Sequence, residues 1–216
     1  MDILKDQFDA VYGFARETLS AERFSHSLRV AEEASRLGRA AGEDTRRCML
    51  AGILHDICRE YTAEQYSSLG FTEVPFCCDP ANGKFDRALM HGMAAAETGR
   101  RRFGITDERV LEAVSWHTTG KPGMCRLAAV IFVADYTEPG REGEFFDRVR
   151  RAAECFGLAA AVREEARLTL EHLLEKRGLG PDTAPEEIPA DIRRSYDTYK
   201  WADENGISAF SANASE

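Results

Sequence analysis

Met124-Cys125-Arg126-Leu127-Ala128-Ala129-Val130-Ile131-Phe132-Val133-Ala134-Asp135-Tyr136 is apolar on nearly every side of a helix, which suits a segment only in the middle of a bundle. Pro139 and Gly140 close it. Asp135, near its end, is a costly carboxylate there unless it is paired or bound to a cation.

Working outward from this helix, apolar residues recur at steps of three and four, and no alternating strand with hairpin chemistry is found. The fold class is therefore expected to be all-α. One helix is predicted from an N-cap at Ser20 through Phe24, Leu28, Ala31, Ala34 and Leu37 to a stop at Gly42. The next starts after Asp44 and runs through Met49, Leu50, Ile53 and Leu54 toward Arg59. Tyr61 to Phe85 reads as a long connection with room for one short helix, because Gly70, Pro75, Pro80 and Gly83 interrupt it. Further helices are expected over Arg87 to Phe103, and from Thr106 or Asp107 to His117, with a break at Gly120 and Pro122. Phe145 to Arg177 reads as one or two amphipathic helices. Pro181 to Pro189 then forms a linker, Ala190 to Ala202 a short helix, and the tail after Asn205 is expected to fray. The expected organisation is one catalytic domain over residues 1–185 and a C-terminal extension over 186–216.

With 216 residues the chain can bury a core without needing a metal or disulfide merely to hold together. A formal net charge of -9 disfavours nucleic-acid binding, which needs a concentrated basic face. No secretion signal and no run of about 18 apolar residues is seen, so neither export nor membrane insertion is expected and the chain reads as cytoplasmic. The six cysteines, Cys48, Cys58, Cys77, Cys78, Cys125 and Cys155, are expected to be reduced.

Four of the five histidines fall at helix ends or loop junctions beside other polar residues. His55-Asp56 ends the apolar run Ala51-Gly52-Ile53-Leu54 and delivers an imidazole and a carboxylate to the edge of the core. His26 lies on the apolar side of its helix. Taken singly, each of these residues has an ordinary structural explanation. His172, in an amphipathic helix with no acidic or histidine partner in register, is expected to be a surface residue and serves as a control.

The ordered set resembles the HD superfamily of metal phosphohydrolases: a helical His, His-Asp at the end of the next helix, two more His and a later helical Asp. The resemblance extends to Arg23-Phe24-Ser25-His26-Ser27-Leu28-Arg29-Val30, Leu54-His55-Asp56-Ile57-Cys58-Arg59 and Leu89-Met90-His91-Gly92. It is most specific at His117-Thr118-Thr119-Gly120-Lys121-Pro122-Gly123-Met124 and Ala134-Asp135-Tyr136-Thr137-Glu138-Pro139-Gly140-Arg141. Across roughly residues 5–185 the chain is similar to the YqeK-type bacterial HD proteins. These hydrolyse diadenosine tetraphosphate symmetrically to two ADP at a two-iron centre. Cys58, Arg59, Cys125 and Ala129 depart from that family's commoner residues without removing a ligand.

The resemblance implies an HD-domain helical bundle in which His26, His55, Asp56 and Asp135 bind one metal. Asp56, His91 and His117 then bind a second, with Asp56 bridging. Imidazole and carboxylate suit first-row transition metals, and among these the resemblance implies iron, with manganese or cobalt as substitutes. Two such metals about 3.5 to 4 Å apart can share a water and lower its pKa toward neutrality, making a hydroxide nucleophile without a protein serine or cysteine. Arg23, Arg29, Arg59, Lys121 and Arg141, with Thr118, Thr119 and the turn at Gly120, are the candidates for holding substrate phosphates. The turn from Gly180 to Thr183 is a candidate cover for a ribose or base. Two alternatives stay open: an HD phosphohydrolase acting on a mononucleotide, a deoxynucleotide or a guanosine polyphosphate, and a nucleotide-binding domain without turnover. The oligomeric state, a homodimer included, is left undecided by the sequence.

Overall fold

In the computed structural model, residues 3–71, 87–189 and 192–205 are described. Among them there is no strand, and the element order is α1 (Ile3–Thr18), α2 (Ala21–Ala41), α3 (Thr45–Leu54), α4 (Ala63–Ser68), α5 (Arg87–Phe103), α6 (Glu108–Trp116), α7 (Arg126–Thr137), α8 (Glu144–Phe156), α9 (Leu158–Lys176) and α10 (Arg193–Asn205). The bundle is built around α7, whose residues from Leu127 to Ala134 are all buried and which contacts α2, α3, α6, α8 and α9. No helix among the described residues is long and apolar enough to cross a membrane.

Several boundaries follow directly from capping chemistry. Ser20 caps α2 by accepting from the Arg23 amide, Asp44 caps α3 from Arg46, and Asp107 caps α6 from Arg109. Helix α2 ends at Gly42, as its sequence indicates. Other boundaries differ from the sequence reading. Helix α3 stops at Leu54 rather than continuing toward Arg59, because the chain tightens into turns with Ile57 N donating to Leu54 O and Arg59 N to Asp56 O. The stretch from Phe145 to Arg177, expected as one or two helices, is two, parted at Gly157, whose φ of 85° a residue with a side chain rarely adopts. Helix α1, which the sequence reading passed over, buries Val11 and Ala15 against the main core. The short helix expected within the connection after Tyr61 is α4. Residues 72–86, with Cys77 and Cys78, and the tail after Asn205 lie outside the described residues, as does the expected start of the last helix at Ala190.

The last helix is not a loose appendage. Thr198 and Ala202 are buried, α10 packs on α9, and Ile188 and Ile192 form a small apolar cluster with Leu170 and Leu174. Arg194 lies over the Trp116 ring at 4.3 Å, so α10 also touches the end of α6 that precedes His117. Cys48 and Cys58 are buried free thiols, pushed up to about 12 and about 11 by burial. Of the three consecutive arginines in α5, Arg100 pairs with Glu108 at 2.9 Å, Arg101 with Glu97, and Arg102 stacks on Phe14 at 4.2 Å. Each of the three thus has a protein partner.

Two glycines set how closely the site-bearing helices approach. A Cβ on Gly52 would stand 2.5 Å from Ala31 Cα, so α2 and α3 can touch backbone to backbone only with glycine there. A Cβ on Gly92 would stand 2.7 Å from Val114 O and 3.1 Å from His117 Nδ1, which holds α5 equally close to the end of α6. Gly52→Ala is therefore expected to destabilise the protein by about 1–3 kcal/mol through overpacking. Gly13→Ala, where no atom lies within 4 Å of the added carbon, is expected to stabilise it by about 0.5–1 kcal/mol. Urea unfolding of the two variants in the presence of a chelator checks the contrast, and equal stabilities would contradict it.

Candidate metal centre

The close approaches just described bring His26 from α2, His55 and Asp56 from the turn after α3, His91 from α5, His117 from the end of α6 and Asp135 from α7 into one cluster. His26, His55, Asp56, His91 and His117 are all buried. Asp135 is 23% exposed and stands at the mouth with Arg23 and Arg141, which are 31% and 37% exposed.

Asp56 is the centre of this arrangement. Its Oδ2 lies 3.5 Å from His55 Nε2, 3.7 Å from His26 Nε2 and 2.8 Å from Arg23 Nη1. Its Oδ1 lies 3.0 Å from His91 Nε2 and 3.8 Å from His117 Nε2. One carboxylate thus turns one oxygen to each of two histidine pairs. Asp135 Oδ1 joins the first pair at 3.1 Å from His26 Nε2. Two compact triads of ligand atoms result, His26 with His55 and Asp135, and His55 with Asp56 and His117.

The outer ring nitrogens show how the imidazoles are held. His55 Nδ1 donates to Gly52 O at 2.7 Å and His117 Nδ1 to Val114 O at 2.7 Å; a carbonyl can only accept, so both present an Nε2 lone pair to the cluster. His26 Nδ1 is oriented by Glu138 Oε1 at 3.1 Å. His91 is approached from behind by Arg59, whose Nη1 lies 3.0 Å from its Nδ1, and its Nε2 lies 2.8 Å from His117 Nε2.

Glu138, present in the sequence motif but given no role there, is the anchor behind His26. It is buried, accepts from Arg29 Nε at 2.5 Å and from the Gly140 amide at 2.5 Å, and is held below the ordinary glutamate range. Burial opposes that shift; Arg29 and the Gly140 amide override it. Arg150 of α8, also missed by sequence reading, gathers the carbonyls of Thr137, Glu138 and Arg141 at 3.0, 2.9 and 2.6 Å. These are carbonyls at and just past the C-terminus of α7, where the helix provides no partners.

The donor set fits cations. His26 Nε2 and His55 Nε2 are buried with no hydrogen-bond partner, a state that folded proteins rarely leave unexplained. Burial works against charge on His55, yet its pKa is raised, chiefly by Asp56 and then Asp135, so the local field calls for positive charge where its Nε2 points. His117 is pushed down to about 3 by burial and by His91 and His55, which keeps its lone pair available. Asp56 and Asp135 stay ionised despite burial, Asp56 mainly through His55 and Asp135 mainly through His26.

The candidate phosphate-binding residues divide. Arg23 bonds Asp56, and Arg141 bonds Asp135 through its carboxylate at 2.8 Å and its carbonyl at 3.1 Å, so both line the mouth. Thr118 Oγ1 lies 3.2 Å from His117 Nε2. Arg29 faces Glu138 and Arg59 faces His91, behind the ligands. Thr119 Oγ1 donates to Gly120 O, and Lys121 lies 3.4 Å from Glu112 beside a separate cleft between α5 and α6. His172 is exposed and lies outside the cluster.

The HD-domain family model matches residues 23–140. A Staphylococcus aureus protein named bis(5'-nucleosyl)-tetraphosphatase, symmetrical, is 36% identical over 166 residues, covering 75% of this chain and 82% of that protein. A Bacillus subtilis protein of the same name is 32% identical over 170 residues, covering 78% and 89%. The crystal structure of a predicted HD superfamily hydrolase involved in NAD metabolism from Clostridium acetobutylicum superposes with a TM-score of 0.74 at 28% identity, covering 92% of this chain and 97% of that one.

One buried acid near the cluster was not singled out from sequence. Glu165 of α9 is buried, its Oε2 has no partner, and burial followed by the Asp135 charge pushes its pKa well above the usual range. A raised carboxyl pKa favours folding fully below the unfolded value of about 4.3, and that contribution is lost as pH climbs through the folded value. Glu165→Gln, which mimics the neutral acid, is therefore expected to match the wild type in melting temperature near pH 5 and to exceed it increasingly toward pH 8. Melting curves across that range with chelator present check the sign, and a gap that closes as pH rises would contradict it.

Proposed function

The chain belongs to the HD-domain family and is related to bacterial symmetrical bis(5'-nucleosyl)-tetraphosphatases, and from that premise we propose that it hydrolyses diadenosine tetraphosphate to two ADP. The reading takes His26, His55, Asp56, His91, His117 and Asp135 as ligands of two first-row transition metals, iron foremost. The observation that carries it is the division of Asp56, with Oδ2 toward His26 and His55 and Oδ1 toward His91 and His117. When bound, two such ions supply a water acidic enough to attack phosphorus at neutral pH and neutralise charge on the phosphate oxygens.

The chain's own residues do the rest. Phosphoryl transfer needs positioning and charge compensation more than covalent help. Arg23 and Arg141 stand at the mouth, each already on a carboxylate of the cluster. A guanidinium has five N–H donors, so each can keep its carboxylate in place while presenting further donors to a phosphate. Glu138 fixes the ring of His26, while the carbonyls of Gly52 and Val114 fix His55 and His117. The lone pairs are thereby aimed before any ligand arrives, and no rotation has to be frozen at binding.

The purified protein is expected to hold about two transition-metal ions per chain. Asp56→Ala should lower the rate by more than about a hundredfold, beyond the 10–100-fold typical of losing a group behind the ligands. Elemental analysis and turnover of diadenosine tetraphosphate in 18O-water test both points, with the label expected in ADP. Release of ATP and AMP, or faster cleavage of a mononucleotide, would refute the proposed reaction. Near-normal activity of Asp56→Ala would refute the site.

A further inference from the structure

Beside the cluster lies a cavity of about 390 Å3, between the end of α7, the start of α8 and one face of α9. That volume lies within the roughly 300–1,000 Å3 of sites that hold small molecules. Its walls include Tyr136, Phe146, Leu168, Thr169 and Leu173, and Arg141 closes the side toward the metal ligands. Tyr136 and Phe146 are 4.7 Å apart between ring centroids at 51°, and the Arg141 guanidinium lies 5.9 Å from the Phe146 ring. The same guanidinium bonds Asp135 Oδ1 at 2.8 Å, so one side chain touches both the cluster and the cavity.

We propose that this cavity receives the nucleobase of one half of a dinucleoside polyphosphate whose phosphates lie at the cluster; the inference rests on the nucleotide-hydrolase reading above. The chemistry of the walls supports a base over a bare phosphate or a sugar. Arg141 and His172 aside, the cavity is walled by aromatic rings and leucines, with the Thr169 hydroxyl as a small polar group. A flat heteroaromatic ring gains stacking on such surfaces, and every base offers a face for it. A phosphate in the same place would have a single permanent cation, Arg141, to compensate it.

Arg141 stands where the chain from base to phosphate must pass, and can hold the first phosphates while the base stacks beyond it. A nucleotide seated this way has its phosphates counted outward from a fixed base. The bond presented at the cluster is then set by that distance, which gives symmetric cleavage a structural cause. The turn from Gly180 to Thr183, the sequence candidate for covering the base, closes on itself through Thr183 Oγ1 to Gly180 O at 2.7 Å and is not among the cavity walls. His172, which takes no part in the cluster, lies on the cavity wall, so its place is beside the base.

Two variants test the assignment on the metal-loaded protein. Phe146→Ala removes a stacking face, and Thr169→Trp fills the cavity while leaving both aromatic residues unchanged. Equilibrium binding is measured for ADP and for inorganic tripolyphosphate, which carries phosphates and no base, and KM and kcat are measured for diadenosine tetraphosphate. Both variants are expected to weaken ADP binding and raise KM by about tenfold, as loss of one base-stacking contact does, with kcat and tripolyphosphate affinity changed less than about twofold. ADP affinity unchanged in both variants would overturn the cavity assignment. So would an equal loss of ADP and tripolyphosphate, which would place the effect on Arg141 and the phosphates. Failure of the wild type to cleave diadenosine tetraphosphate would instead overturn the proposed reaction, and the ADP arm would still decide whether the cavity takes a base.

Discussion

Everything around the site answers one constraint: two carboxylates and four imidazoles have been taken from water and placed together inside a helical bundle. An isolated buried carboxylate is prohibitive, so Asp56 can exist there only if its surroundings return what solvent would have given. They do so on both oxygens, through Arg23, His26 and His55 on one side and His91 and His117 on the other. That compensation is still incomplete for the histidines, since Nε2 of His26 and of His55 lacks a hydrogen-bond partner. Cations bound there would meet the needs of both lone pairs and both carboxylates at once.

Behind the ligands, a rigid frame keeps those groups where they are. Glu138 links α2 to the turn after α7 through His26, Arg29 and the Gly140 amide. Arg150 ties α8 to the same turn by three carbonyls, and Thr137 reaches back to buried Glu33 of α2 at 3.2 Å. Because α7 is buried around its circumference, its end cannot shift without disturbing the core. Asp135 and Arg141 inherit that rigidity, although they are the parts of the site nearest solvent.

The mouth and its neighbouring cavity divide labour between charge and stacking. The charged groups Arg23, Asp135 and Arg141 line the mouth, while the aromatic wall of Tyr136 and Phe146 offers contact that does not depend on charge. Arg141 belongs to both regions, pairing with Asp135 while lying near the Phe146 ring. On the far side of the cluster, Arg194 of α10 rests on Trp116, one residue before His117. The C-terminal helix therefore braces a site-bearing element.

Much of this was legible in the order of residues, because capping and helical periodicity act within a few positions of chain. Ser20, Asp44 and Asp107 mark helix starts through their own side chains, and the unbroken apolar run of α7 declares its burial. The six clustered residues could be named in advance, since their spacing along the chain resembles a known pattern. Other features depended on groups far apart in sequence. The Glu138 to His26 contact spans 112 positions, and the orientation of each imidazole rests on a particular carbonyl or carboxylate. The isolation of Glu165 and the cavity beside Arg141 exist only once α7, α8 and α9 are packed. Sequence alone thus indicated most of the helices, through capping and periodicity that act locally, and offered the six clustered residues as candidates through their resemblance to a known pattern. Packing decided which oxygen of Asp56 faces which histidine and where a neutral acid and an apolar pocket lie, because burial and distance belong to pairs of elements.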